Sequence, residues 1–226
     1  MGFRALKKDI RHLLVADDLP AALTALDRLA ERQAINPLFA FLYDTDMVVR
    51  WHAVTAFGRV LTNLAGKNME AARVVMRRLM WNLNDESGGI GWGSPEAMGE
   101  TMAQHAGLAR QYSHILIAYI NPRGNFLEHE ALQRGLLWGL GRLAQARPAH
   151  IRPAATFLHP FLESHDAIHR GLAAWGLGSL KDTSALPLLK TLYDDKATLV
   201  LYDDLLLQNH TVGNLAKEAC AAIMGS

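Results

Sequence analysis

Apolar residues recur along most of the chain with the spacing of an amphipathic helix. In the segment 49–60, VRWHAVTAFGRV, apolar or small residues fill positions 1, 5, 6, 8, 9 and 12. This spacing follows the 3.6-residue period of a helix and not the two-residue alternation of a strand. Most of these positions stay apolar or small in four later segments: 90–101, 132–143, 169–180 and 212–223. The pattern therefore predicts helices built from an internal repeat.

A small residue occupies position 10 of every copy. From Gly58 onward the copies are spaced 41, 42, 37 and 43 residues apart, and these small residues are Gly58, Gly99, Gly141, Gly178 and Ala221. Glycine inside a helix costs about 1 kcal/mol relative to alanine, so its recurrence needs a structural reason. We expect a neighbouring helix to approach closely at this position.

A second helical segment precedes each copy, so each repeat unit is predicted to be a helix pair. The predicted units within a single domain, 1–226, are 35–64, 69–105, 108–146, 150–181 and 184–224. Residues 1–34 fit the pattern poorly, as the capping helices at the end of a repeat array do. They are predicted to form an N-terminal cap.

The pattern V-R-x-x-A-V-x-A-F-G at residues 49–58, together with the repeat spacing, resembles HEAT-like repeats. These include the short type named after phycobilisome lyases, and the resemblance covers residues 35–224. It implies an all-α fold, a right-handed α-solenoid (superhelix) of HEAT-like helix pairs. In solenoids of this kind the second helix of each pair lines the concave surface.

One segment departs from the helical pattern. Residues 197–211 read ATLVLYDDLLLQNHT, with apolar runs on both sides of Asp203 and Asp204. Such a pattern predicts a small β-hairpin at 197–210, inserted into the last unit. A continuous helix is the competing interpretation. We expect the hairpin to seal the C-terminal end of the core.

Composition narrows the function classes. The chain has 226 residues, a net charge of +1 and one cysteine, Cys220. The near-neutral charge argues against a nucleic-acid partner, and a single cysteine suits a reducing compartment. No apolar run reaches the roughly 20 residues of a membrane span. We therefore expect a cytoplasmic protein without a membrane partner.

The glycine-rich stretch 84–100, NDESGGIGWGSPEAMGE, invites a chemical interpretation. A phosphate-binding Walker loop is excluded because no lysine with serine or threonine follows the last glycine. The loop acids Asp85 and Glu86 lie near Glu96 and Glu100 in the sequence. They form a solvated acidic edge, a partner or ligand contact, or a catalytic site. No metal-ligand spacing, catalytic set or cofactor motif is present, so we predict no metal and no cofactor.

Aromatic and charged residues recur at positions 3, 7 and 11 of the repeat, which share one helix face. The candidate partner-binding residues at these positions are Trp51, Trp92, Trp138, Trp175, Arg59, Glu96, Glu100, Arg134 and Arg142. Aromatic residues and arginine are typical of binding hot spots. Large aromatics also fill gaps between packed helices, so both interpretations remain open.

The predicted function is a protein–protein interaction scaffold or adaptor that binds its partner along the concave groove. The alternative is an enzyme or cofactor chaperone that uses the acidic loop 84–100. Here the family resemblance implies a DNA-alkylation-glycosylase-like or a bilin-lyase-like protein. The residues alone do not decide whether the chain is an enzyme.

Overall fold

Two compact units make up the chain, Met1–His105 (unit 1) and Ala106–Ser226 (unit 2). The computed structural model describes residues 2–84 and 91–225. Both units consist mainly of α-helices, and each has its own buried apolar core. The prediction of one continuous repeat domain over 1–226 stays a prediction.

Unit 1 contains three helix pairs. In its described part the helices are α1 (Phe3–Leu14), α2 (Leu19–Leu26), α3 (Glu31–Phe41), α4 (Met47–Lys67), α5 (Met69–Asn84) and α6 (Ser94–Gln104). Helix α3 packs on α4, helix α5 packs on α6, and the second helices α4 and α6 pack on each other. The predicted N-terminal cap corresponds to α1 and α2.

Polar side chains define where the helices of unit 1 begin. One carboxylate oxygen of Asp46 accepts hydrogen bonds from the backbone nitrogens of Val48 and Val49, at 3.0 and 3.4 Å. Asp18 caps α2 in the same way through the nitrogen of Ala21. These bonds satisfy amide groups that have no partner within the helix.

Unit 2 places three second helices side by side. Its described helices are α7 (Ala106–Ile120), α8 (Glu130–Ala146), α9 (Pro148–Ile151), α10 (Ala155–Leu158), α11 (Ala167–Leu180), α12 (Leu186–Thr191) and α13 (Val212–Met224). Helix α11 packs between α8 and α13. α11 is the second helix of its pair. Short 3₁₀ segments at Arg152–Ala154 and His159–Glu163 interrupt the first helix of the same pair.

The repeat glycines lie where helices approach closely. A Cβ atom on Gly58 would lie 2.8 Å from Cγ of Glu100 on the neighbouring helix α6, and one on Gly178 would lie 2.7 Å from Cα of Ala219 on α13. Real Cβ atoms do not approach other atoms so closely, so any side chain there would push the helices apart. This contact explains the small residue at position 10.

The predicted hairpin is confirmed, and the continuous-helix alternative is wrong. Strands β1 (Thr198–Asp203) and β2 (Leu206–Thr211) pair antiparallel, and the turn residues Asp204 and Leu205 both have positive φ angles. Two positive φ angles give the turn a twist that matches a two-residue hairpin. Strand β1 packs against α11, and strand β2 packs against α13.

Within residues 2–84 and 91–225, no helix combines the length and the apolar character that a membrane span requires.

Candidate functional site

Helices α4 and α6 run parallel, so equivalent repeat positions lie next to each other in unit 1. Gly93, directly before α6, approaches the carbonyl of Leu42, which lies shortly before α4. Farther along the same helices, Gly58 faces Glu100. Four candidate residues of this pair form what we name the unit 1 face: Trp51, Arg59, Trp92 and Glu96.

Two glycines of the glycine-rich stretch have a structural role. Gly93 has a φ angle of +74°, and a Cβ atom there would lie 2.5 Å from the carbonyl oxygen of Leu42. A Cβ atom on Gly91 would lie 2.6 Å from the carbonyl oxygen of Asn82. Both positions require glycine because the backbone approaches another backbone segment. Residues 91–93 are thereby held against Asn82 of α5 and against Leu42, directly after α3, while Trp92 stays 39% exposed.

Two arginines, Arg59 of the unit 1 face and its neighbour Arg50, have contacts that hold them in place. The guanidinium of Arg59 forms hydrogen bonds to both carboxylate oxygens of Asp27, at 2.5 to 3.1 Å. This pairing holds the pKa of Asp27 below its ordinary value. Arg50 lies over the half-buried ring of Trp51, 5.9 Å from its centroid. Arg50 is not among the candidate residues predicted from the sequence, although it directly precedes Trp51.

Glu96 has an unusual environment. Its side chain is half-buried, and Oε2 is enclosed without a hydrogen-bond partner among the described residues. Burial raises the pKa of this carboxyl group, while its own backbone amide and the charge of Arg50 partly oppose the rise. The charged form is therefore destabilised by lost hydration, and a donor brought by a ligand would stabilise it.

Substitution of Glu96 by glutamine should stabilise the chain at neutral pH. Since burial raises the folded pKa above the reference value of 4.5, the folded chain keeps a proton that the unfolded chain loses. Stability is then highest below pH 4.5 and falls as pH rises through the folded pKa. We expect Glu96→Gln to remove this fall and to add on the order of 1 kcal/mol at pH 7, or about 2–4 °C in Tm.

Thermal unfolding followed by circular dichroism from pH 4 to pH 8 measures this effect. Glu70→Gln is the control, because Glu70 is exposed and its neighbours Arg77 and Arg73 lower its pKa. That variant should gain no stability at pH 7. A Glu96→Gln variant with an unchanged pH dependence would show that the carboxyl group is not destabilised by burial.

Glu100 is a packing residue in this structure. It is buried beneath Gly58, and its Oε1 accepts a hydrogen bond of 2.6 Å from Nε2 of Gln104. The sequence places Glu96 and Glu100 on one helix face, and this pattern does not show that Glu100 packs beneath Gly58. Glu100 faces the contact with α4, where α6 approaches most closely, so it is not available to a partner.

The hairpin covers Trp138 of unit 2, whereas Trp175 is half-buried. Trp138 on α8 is only 2% exposed, and its Nε1–H donates a 2.8 Å hydrogen bond to the carbonyl of Tyr202 on β1. Its ring stacks with Trp175 on α11 at a centroid distance of 6.5 Å. A side chain on Gly141 would overlap the ring of Trp175. Trp138 is therefore a packing residue, which corrects its assignment to an exposed binding groove.

The arginines of unit 2 have mixed environments. Nε of Arg134 forms a 2.7 Å hydrogen bond to Asp166, which also caps α11 through the nitrogen of Ile168. Arg142 is half-buried on α8.

Both loop candidates, Asp85 and Glu86, lie outside the described residues. Among residues 2–84 and 91–225, no group of three or more His, Cys, Asp and Glu side chains is arranged to hold a metal ion.

Paired helices whose second members pack side by side define an α-helical repeat protein. Within that class, the model of the HEAT-like repeat matches residues 130–180, and the model of the PBS lyase HEAT-like repeat matches residues 170–195. The resemblance to HEAT-like repeats is thereby confirmed, and residues 130–195 carry repeats of this family.

Known proteins support the same fold. An uncharacterized protein from Archaeoglobus fulgidus is 28% identical over 149 residues, which is 65% of this chain and 74% of that protein. An engineered protein superposes with a TM-score of 0.57 at 16% identity, covering 100% of this chain and 98% of its own. A designed armadillo repeat protein in complex with the peptide (KR)4 superposes with a TM-score of 0.54 at 18% identity, covering 96% and 99%. At these identities the two structures support the fold alone.

Proposed function

We propose that this chain is a protein-binding module and that the unit 1 face is its binding surface. The observation that carries the proposal is the 39% exposed Trp92, followed four residues later by Glu96, whose Oε2 lacks a hydrogen-bond partner among the described residues. Tryptophan contributes large contact area at interfaces. A buried acceptor without a partner gains most from a donor that a ligand supplies.

The comparison between the two units favours unit 1. Tryptophans lie on the same helix face of the repeat in both, at position 3 in unit 1 and at position 7 in unit 2. The hairpin of unit 2, however, covers Trp138 and accepts a hydrogen bond from its ring nitrogen. Because the chain's own backbone fills that surface, a partner would first have to displace it. No comparable insertion covers Trp92 within the described part of unit 1.

The chemistry of Glu96 indicates which group the partner brings. A carboxylate accepts hydrogen bonds, so once the half-buried side chain of Glu96 turns outward, a backbone N–H group, a lysine or an arginine of the partner would complete the site. The designed armadillo protein of similar fold is in complex with a basic peptide, (KR)4. This analogy rests on the fold and supports a basic or amide-rich peptide segment as the ligand.

The test begins with capture of binding proteins from an extract of the source organism, followed by titration of a purified partner. Trp92→Ala should weaken that partner at least 30-fold, because an aromatic hot spot contributes about 2 kcal/mol or more. Trp81→Ala is the matched control, since Trp81 is an exposed tryptophan on α5. We expect the control to bind like the unmodified chain.

Equal weakening by both variants, or by neither, would contradict the assignment of the binding surface. The enzyme or cofactor-chaperone alternative stays a prediction, because Asp85 and Glu86 of its acidic loop lie outside the described residues.

A further inference from the structure

A separate cavity lies on the first helices of unit 1. It has a volume of about 360 Å³ and is enclosed by α3, α5 and one residue of α4. Its lining residues are Arg32, Ile35, Asn36, Leu64, Ala71, Val74, Val75 and Arg78. Aliphatic side chains form most of this lining, and two arginines contribute the charge. We name this surface the α3–α5 groove.

Helix α5 continues the apolar surface beyond the cavity. Val74, Arg78 and Trp81 are spaced i, i+4 and i+7, which places them on one face of the helix. Val74 is 54% exposed and Trp81 is 72% exposed. Large apolar residues in a row on an exposed helix face are typical of interaction surfaces. From Ala71 to Trp81 this face extends about 15 Å at the rise of an α-helix.

The arginines of the groove retain unused binding capacity. Arg32 forms no hydrogen bond or ion pair with the described residues. Arg78 donates one hydrogen bond of 2.6 Å to Asn36, and its guanidinium stacks on Phe39 at 3.9 Å from the ring centroid. A guanidinium has five N–H donors, so Arg78 is held in position with donors left for a ligand.

Nearby carboxylates do not neutralise these two arginines. Glu31 forms an ion pair with Lys67, at 2.5 Å. Glu70 binds Arg73 and Arg77, at 3.3 and 2.8 Å. The local acids are thus paired with other cations, and the groove keeps a positive charge beside an apolar floor.

We propose that the α3–α5 groove binds an acidic amphipathic helix of a partner protein. The apolar side of that helix would contact Val74 and Trp81 and fill the cavity, and its carboxylates would pair with Arg32 and Arg78. Arginine matches carboxylate geometry through paired N–H donors. A recessed cavity between helices suits the inserted side chain of a partner helix, and the two arginines beside it suit the carboxylates of that helix. The groove is formed mainly by the first helices α3 and α5. The unit 1 face lies on and just before the second helices α4 and α6, so neither proposal depends on the other.

The experiment uses the full chain and three fluorescent peptides. The first is a helical 15-residue peptide with leucines at i, i+3, i+4 and i+7 and glutamates on the flanks. The second replaces every glutamate by lysine, and the third is a scrambled form of the first. We expect the acidic peptide to bind at least tenfold more tightly than either of the others, with affinity that falls as salt increases.

Matched variants locate the peptide. The double variant Arg32→Glu and Arg78→Glu should weaken the acidic peptide at least tenfold, and Trp81→Ala should weaken it as well. Trp92→Ala should leave it unchanged, which separates this test from that of the unit 1 face. Thermal unfolding of each variant verifies that the chain is folded.

Three results would overturn the proposal. The first is equal binding of the acidic and lysine peptides, and the second is binding that the double variant retains. The third is an absence of binding by the acidic peptide. A dimer of the chain in sedimentation that Trp81→Asp dissociates, or binding to vesicles of phosphatidylserine and phosphatidylcholine that the double variant loses, would then identify a different occupant.

Discussion

Substitution of Trp138 by alanine is expected to lower the free energy of unfolding by about 3–5 kcal/mol, the range for a large aromatic removed from a core. The variant loses the stack with Trp175 and the ring contact with Tyr202, and it leaves the carbonyl of Tyr202 without its 2.8 Å donor. Because this ring joins α8, α11 and β1, its removal should also loosen the hairpin. Urea unfolding followed by circular dichroism measures the loss.

Two controls make this prediction specific. Trp81→Ala removes the same side chain at a position that is 72% exposed, so its cost should stay within about 0.5 kcal/mol. Trp138→Phe keeps an aromatic ring but removes the N–H donor, and it should cost less than the alanine variant. A loss below 1 kcal/mol for Trp138→Ala would contradict a packing role for this ring.

Replacing Gly93 by alanine should cost about 2–5 kcal/mol, the second large effect on stability. The left-handed backbone, with φ at +74°, strains any residue that carries a Cβ atom, by about 1–2 kcal/mol. The new atom would also lie 2.5 Å from the carbonyl oxygen of Leu42 and must displace backbone, which adds about 1–3 kcal/mol. The same urea experiment measures the change.

Gly66→Ala is the matched control for this substitution. Gly66 lies inside α4, and a Cβ atom there would meet nothing within 4 Å. Alanine should therefore stabilise the helix by about 0.5–1 kcal/mol. If Gly93→Ala were equally harmless, close approach to α3 would not be the reason for glycine at that position.

The helix pairs and their close contacts could be predicted because they depend on local periodicity. Apolar residues at every third or fourth position indicate which face of a helix is buried. Gly58 and Gly178 indicate where the neighbouring helix makes contact. The hairpin was also predictable from its two apolar runs. Each of these features arises from neighbouring residues in the sequence or from a repeat of the same pattern.

The environment of each candidate side chain could not be predicted in the same way. Trp92 and Trp138 belong to the same repeat pattern, yet one is exposed and the other is sealed by Tyr202, 64 residues farther along the chain. Glu96 and Glu100 share a helix face, yet only Glu100 lies at the contact with Gly58. Tertiary contacts, which periodicity does not encode, decide these differences.

The α3–α5 groove was missed for a different reason. Trp81 lies on a first helix, outside the aligned segments in which the tryptophan pattern was sought. Its spacing from Val74 and Arg78 was visible in the sequence. An amphipathic first helix, however, carries apolar residues on its packed face too, and only the structure separates Trp81 from buried neighbours such as Leu79.

The central claim is that the unit 1 face binds a protein partner while the hairpin fills the corresponding surface of unit 2. Amide hydrogen exchange of the full chain, with and without the captured partner that Trp92→Ala weakens, tests it most directly. Slower exchange should be confined to α4, from its N-terminal turns to Arg59, and to residues 91–98. Protection of α8, α11 and the hairpin, with α4 and α6 unchanged, would contradict the claim.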